Sequence, residues 1–348
     1  MGTGKRRHAH DNHFLGMIHM TQVQTVHGGP TGRPSQQPGE TMLWSMLTIA
    51  ADQESMRQDV GDSIVRHIVV PLSAQARTWG GYRFGFSRNP EADQPAVHLH
   101  LRATNHVVER VWRFARELAE ESAAQLGTLQ FSGSTDIVYP SRQGDPVPQL
   151  MEVTLARFGG PEGLKLAADI AELSADLSMW AVNRFPRLNT RSTLAALLLF
   201  DTGHAMMRGP RSAGWPDRRA TSWDYYWNAH LQACTNSVSP RAEHARRAMM
   251  AQMAPRIMPA HRVMAALASE PSVALWRKRW SQAVDLYLYR AYKQRVSRPA
   301  QQLTMASSGL LMNRLGITPR EEAALGFFAR AWSRDLEAQY TGESSRPA

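Results

Sequence analysis

Three residues within the stretch Val273 to Val296 have the types and spacing to move protons: Ser281, Asp285 and Tyr287. On a helix, Ser281 and Asp285 stand one turn apart on a shared face, and Tyr287 lies about 120° away around it. A phenol and a hydroxyl on a helix wall that lines a cleft can donate and relay protons. Arg83, Arg88 and Arg102 fall on two predicted strands and suit bidentate binding of a carboxylate or a peptide backbone. A solvated sheet face accounts for that row equally well. Trp223, Tyr225, Tyr226 and Trp227 crowd one segment, either as a stacking platform or as a core corner. His98 and His100, at i and i+2 on a strand, could share a metal, but no third ligand has matching spacing. His204, in an apolar helix, reads as a core residue, and His8, His10 and His13 sit in tail-like sequence. No metal and no cofactor are expected. P-loop, GxGxxG, HExxH and GxSxG signatures are all missing.

These residues must be positioned by a chain of two characters. Leu43 to Ile49 reads as a strand, and a helix is expected from Gln53 to Val69, ending before Pro71. Tyr82 to Arg88 and Val97 to Arg102 alternate apolar with polar residues and form a predicted hairpin, which puts His98, His100 and Arg102 on one face. A capped helix runs from Thr104 or Asn105 to about Leu126, and Leu129 to Phe131 with Asp136 to Tyr139 reads as another strand pair. Met151 to Phe158 is apolar and β-branched enough for a strand. After it Gly159, Gly160 and Pro161 turn the chain into a helix striped by Leu166, Ile170, Leu173, Leu177 and Trp180. From Ser192 onward the pattern is helical, closing with a capping box at Thr318 to Glu321. The expected fold class is α+β, with a ferredoxin-like β-α-β-β-α-β N-terminal half and a largely helical C-terminal half. Residues 1–40 read as a flexible tail, 41–338 as a single domain and 339–348 as a loose end.

Composition sets the bounds. The chain has 348 residues, enough for a proper core, and 43% hydrophobic content is ordinary for a globular protein. No apolar run reaches membrane-spanning length and the N-terminus lacks a signal-peptide pattern, so a cytoplasmic protein is expected. The single cysteine, Cys234, excludes an internal disulfide framework and a Cys-rich zinc site. Net charge is +10, with 40 Lys and Arg against 30 Asp and Glu, and Arg predominates. The basic residues are dispersed and no nucleic-acid-binding motif stands out. A GC-rich genome or an acidic polypeptide partner accounts for the balance; no nucleic acid or membrane is expected as a partner.

Several stretches together resemble one family. They are the LWSMLTI strand, FSRN with Arg88, HLHLR ending in Arg102, the GGPEG turn at 159–163, and Asn313-Arg314-Leu315. In this order they look like the thiopeptide-type bacteriocin biosynthesis domain. That domain is the C-terminal, eliminating part of lantibiotic dehydratases, and it also occurs free-standing, including as pyridine synthases. Eliminating members carry a histidine shortly before Asn-Arg-Leu, where this chain has Ser307, Ser308 and Gly309; Asn89 replaces a tyrosine after Arg88. The departures favour the pyridine synthases. The resemblance implies a ribosomally made precursor peptide carrying azoles and two dehydroalanines. The enzyme joins the dehydroalanines in a formal 4+2 aza-cycloaddition, and loss of water and leader peptide then gives a pyridine-centred macrocycle. It points to Tyr287, Ser281 and Asp285 for proton work, and to Arg83, Arg88, Arg102, Trp223 and Tyr226 for substrate and leader. Other pathway enzymes are possible partners. A glutamate-eliminating half of a split dehydratase and a non-catalytic leader-binding partner stay open.

Overall fold

The structure is a computed structural model that describes residues 41–52, 60–89, 95–135, 137, 139–140, 148–211, 221–235 and 242–344. The predicted tail, the expected start of the first helix at 53–59 and the hairpin loop at 90–94 lie outside these residues.

Alternating apolar residues build the sheet. Strands β1 (Leu43–Ala51), β2 (Arg83–Asn89), β3 (Ala96–Ala103) and β4 (Leu129–Thr135) pair antiparallel in the order β2-β3-β1-β4. Leu47, Ile49, Phe84, Phe86, Val97, Leu99 and Leu101 point to one side, into an apolar core shared with the helices that follow β1 and β3. Those helices are α1 (Val60–Ile64) with α2 (Val70–Thr78), and α3 (Asn105–Glu121) with α4 (Ala123–Leu126).

Three expectations fail here for identifiable reasons. The first helix does not end before Pro71: a π-helical turn, Val65–Val69, precedes the proline, and its wider spacing absorbs the missing N–H so that the helix continues to Thr78. The second strand of the pair near 136–139 is not formed at Ile137 or Tyr139, whose side chains are buried outside any strand. Met151 to Phe158 belongs to a helix, α5 (Pro148–Phe158). Its buried residues are Thr154 and Phe158, one turn apart, while Met151 and Val153 are exposed, which is helical rather than alternating burial.

The Gly-Gly-Pro turn behaves as expected. Gly159 and Gly160 take φ of +78° and +96°, and Gly160 N–H closes α5 by donating to Leu155 O at 2.8 Å. Pro161 then opens α6 (Pro161–Arg184), whose Leu166, Ile170 and Leu177 are buried. The remaining chain is helical: α7 (Leu188–Arg208), α8 (Trp223–Thr235), α9 (Ala242–Met253), α10 (Ile257–Ala268), α11 (Pro271–Lys293), α12 (Ala300–Leu315), α13 (Pro319–Ala331) and α14 (Arg334–Ser344). Thr318 and Glu321 form the predicted capping box. Of the C-terminal residues expected to be loose, 339–344 continue as α14, where Tyr340 stacks on Trp332, and 345–348 lie outside the described residues. Among the described residues, no helix is long and apolar enough to cross a membrane.

The two halves are held together by buried arginines. Asn313 at the end of α12 bonds the backbone of Arg88 in both directions, accepting from its N–H at 2.9 Å and donating to its carbonyl at 2.7 Å. Arg314 passes under the sheet, donating to Phe86 O at 2.5 Å, to Tyr139 Oη at 3.3 Å and to Ser174 on α6. Arg88 donates to Arg314 O at 2.9 Å and pairs with Asp62 at 2.7 Å, and Arg191 of α7 takes the other Asp62 oxygen at 2.5 Å. Burial pushes the Asp62 carboxyl up, but the two guanidiniums prevail and hold it below the usual carboxylate range.

Candidate functional site

Tyr287 is placed by α11. The helix is started by Glu270, whose carboxylate accepts from Val273 N–H at 2.8 Å, with Pro271 in the first turn. Packing of α11 against α6 leaves a cleft of about 90 Å³ lined by Leu166, Asp169 and Ile170 on one side and Leu286, Tyr287 and Arg290 on the other. The phenol of Tyr287 is 4% exposed and its oxygen has no aligned hydrogen-bond partner. The hydroxyl of Ser307, on α12, is its polar neighbour, and Ser307 gives its own proton to Leu303 O at 2.9 Å. Burial pushes the Tyr287 phenol well above the usual tyrosine range, only partly offset by Ser307. At neutral pH this side chain is a neutral O–H donor in an apolar wall.

Charge gathers at the rim. Arg83 donates to Asp169 at 2.5 Å and Glu172 at 3.2 Å on α6, and Arg290 reaches Asp169 at 3.5 Å. Burial raises the Glu172 carboxyl, with Arg83 pulling the other way. Arg102 is the cross-strand partner of Arg83, and both guanidiniums lie over the Tyr82 ring at 5.3 and 5.6 Å. The rim therefore presents an alternating cationic and anionic edge, suited to a polar peptide backbone.

The other sequence candidates separate. Arg88 stands five residues after Arg83, so it emerges on the opposite sheet face, buried against Asp62; it is part of the staple and not of a binding row. Asp285 is 2% exposed and holds the chain after α7, accepting from Arg211 N–H at 3.2 Å and from its guanidinium at 2.9 Å. Ser281 is half-buried and does not line the cleft. Tyr226 is buried in the helical core, and the half-buried Trp223 stacks on it while donating its indole N–H to Arg330 O at 3.0 Å, so both serve the core corner. His98 shares a 2.9 Å hydrogen bond with Thr48, its register partner. His100 bonds Ser87 at 3.1 Å, and burial followed by the neighbouring His98 depresses its pKa well below the usual histidine range.

A second cavity was not anticipated. It measures about 270 Å³ and is lined by Arg157, His230, Cys234, Gln302, Met305 and Glu322, among others. His230 and Cys234 are one turn apart on α8, and Glu322 comes from the first turn of α13. The one-turn spacing was readable in the sequence; Glu322 meets it only through packing of α8 on α13.

A sequence model of the family described as lantibiotic biosynthesis dehydratase C-term matches residues 44–332. No curated protein matches the chain significantly. Several solved structures share the fold, three of which follow. The pyridine synthase TbtD from thiomuracin biosynthesis aligns with TM-score 0.53 and 19% identity over 86% of this chain and 99% of that one. TsrL aligns with TM-score 0.53 and 15% identity, over 88% of this chain and 100% of that one. The tRNA-dependent lantibiotic dehydratase MibB from Microbispora sp. 107891 aligns with TM-score 0.51 and 16% identity, over 89% of this chain. The chain spans only 29% of that dehydratase's length.

Proposed function

The chain belongs to the lantibiotic biosynthesis dehydratase C-terminal family, and from that premise we propose that it is a pyridine synthase acting on a modified ribosomal precursor peptide. The observation that carries this reading is the buried phenol of Tyr287 beside Ser307. Ser307 and Ser308 occupy the stretch where, as the family resemblance implies, eliminating members carry their acid/base histidine. A neutral phenol and a hydroxyl cannot serve as a base poised near neutral pH, but they suit a reaction that needs a hydrogen-bond donor and little else.

In this reading the peptide lies along the rim formed by Arg83, Asp169, Arg290 and Arg102, and places its two dehydroalanines at the α6–α11 cleft. Tyr287 donates a hydrogen bond to the amide oxygen beside one of them, favouring the iminol tautomer, whose C=C–N=C azadiene adds across the C=C of the other. Loss of water and leader then aromatises the ring. Most of the acceleration comes from proximity and orientation. The antiparallel order β2-β3-β1-β4, with helices after β1 and β3, supports reading the scaffold as ferredoxin-like.

Mass spectrometry tests the assignment directly. An azole-bearing, bis-dehydroalanine precursor incubated with the protein is expected to yield a macrocycle and released leader. An unchanged precursor, with glutamate lost from a glutamylated version instead, would identify an eliminating enzyme. Because the phenol is raised rather than lowered, cyclisation should show no loss from its ionisation as pH approaches the ordinary tyrosine range of about 10.

A further inference from the structure

The second cavity contains a set of ligand atoms whose spacing matches a metal centre. Cys234 Sγ lies 3.8 Å from His230 Nε2, and Glu322 Oε1 lies 3.3 Å from the same nitrogen. All three ligand atoms fall within 4.8 Å of one another. With zinc–sulfur bonds of about 2.3 Å and zinc–nitrogen or zinc–oxygen bonds of about 2.0 Å, a tetrahedral ion requires S···N near about 3.5 Å and N···O near about 3.3 Å. The nitrogen–oxygen edge is met, the sulfur–nitrogen edge is long by a few tenths of an ångström, and the sulfur–oxygen edge lies within 4.8 Å, so movement of the thiol toward both partners closes the set.

Three further features point the same way. A thiolate and a carboxylate together neutralise a divalent ion, with the imidazole neutral. His230 and Cys234 at i and i+4 present their ligand atoms on one helix face, and a carboxylate from a neighbouring helix completes a facial set. The ring of His230 is fixed: its Nδ1 edge lies so close to Gly326 that a Cβ there would approach to 2.9 Å, and Trp227 meets the ring edge-on at 5.3 Å. Nε2 is thereby turned toward Cys234 and Glu322, and the cavity of about 270 Å³ opens beside the set.

We propose that His230, Cys234 and Glu322 bind a divalent transition metal of zinc type, with the remaining coordination position facing the cavity. Thiolate, imidazole and carboxylate together select zinc or cobalt over magnesium or calcium. On binding, the Cys234 thiol gives its proton to solvent, so affinity rises with pH. The fourth position takes a water or a nitrogen or oxygen donor from a ligand in the cavity, with Arg157 and Gln302 at its walls. This inference does not depend on the pyridine synthase reading, since the Tyr287 cleft and this cavity share no lining residue.

Cobalt titration of the chelator-treated, full-length protein decides the matter. Cys234 is the only cysteine in the chain, so any thiolate-to-cobalt charge-transfer band reports this site, even if the N-terminal histidines also bind metal. The expected result is a band that saturates at one equivalent, disappears in Cys234→Ser, and needs about tenfold or more cobalt in His230→Ala and in the isosteric Glu322→Gln. No thiolate band in the folded wild-type protein would overturn the proposal. So would a band whose cobalt dependence is unchanged in both His230→Ala and Glu322→Gln.

Discussion

Two polar regions of this protein are built from similar residues and do opposite things. In the staple between sheet and helices, Arg88, Asp62, Arg191, Asn313 and Arg314 spend most of their hydrogen-bonding atoms on one another and on backbone carbonyls. Around the α6–α11 cleft and the α8–α13 cavity the polar groups are less fully engaged: the buried hydroxyl of Tyr287 has no aligned partner, and the cluster at His230 lines a cavity. The sequence motifs that best mark the family, Arg88 and Asn313-Arg314-Leu315, thus belong to the staple. They hold the halves in register.

That contrast can be broken most severely at the staple. Arg88→Ala leaves Asp62 buried with one guanidinium fewer and should cost about 3–5 kcal/mol, read by urea unfolding. Tyr287→Phe tests the opposite side of the comparison. It should lower the cyclisation rate by about 100-fold or more with unfolding midpoint nearly unchanged, since it removes a hydroxyl without an aligned partner. A steric change comes next: Gly85 lies under the Tyr139 hydroxyl, so Gly85→Ala should cost about 1–3 kcal/mol by calorimetry or denaturant.

Acid sharpens the difference within the sheet half. His100 is held neutral by burial, so the unfolded chain binds the extra proton first. Stability should begin to fall below about pH 6.5, and His100→Gln should reduce that first phase, to which burial of His204 and His261 also contributes. Asp62 is depressed, so its contribution is present above about pH 3.9 and is lost at still lower pH as the folded carboxyl protonates. The smallest effect belongs to the rim. Arg102→Ala should weaken precursor binding a few-fold in a fluorescence anisotropy titration, with stability within about 0.5 kcal/mol of wild type.

Much of the sheet was legible because a period of two is hard to mistake: the β2–β3 hairpin, the first strand and the shared face of His98 and His100 all follow from alternation. The same parity argument, carried further, separates Arg88 from Arg83, and there the predicted arginine row was wrong. Met151 to Phe158 misled because its β-branched residues favour a strand, whereas burial of Thr154 with Phe158 is helical and set by packing on α6 and α12. The aromatic segment at 223–227 was rightly weighed as a core corner, but Trp223 and Tyr226 were still offered as ligand contacts. Tyr287 was put forward from the family likeness. Its neighbour Ser307, and the meeting of Glu322 with His230 and Cys234, depend on helices brought together by the tertiary fold and have no local signal.

The most direct test of where the chemistry resides is a mass-spectrometric time course of macrocycle formation for wild type and Tyr287→Phe at equal concentrations of folded protein. The account predicts a rate lower by about two orders of magnitude for Tyr287→Phe, with the same product. Equal rates would contradict it and remove Tyr287 and its cleft from the reaction.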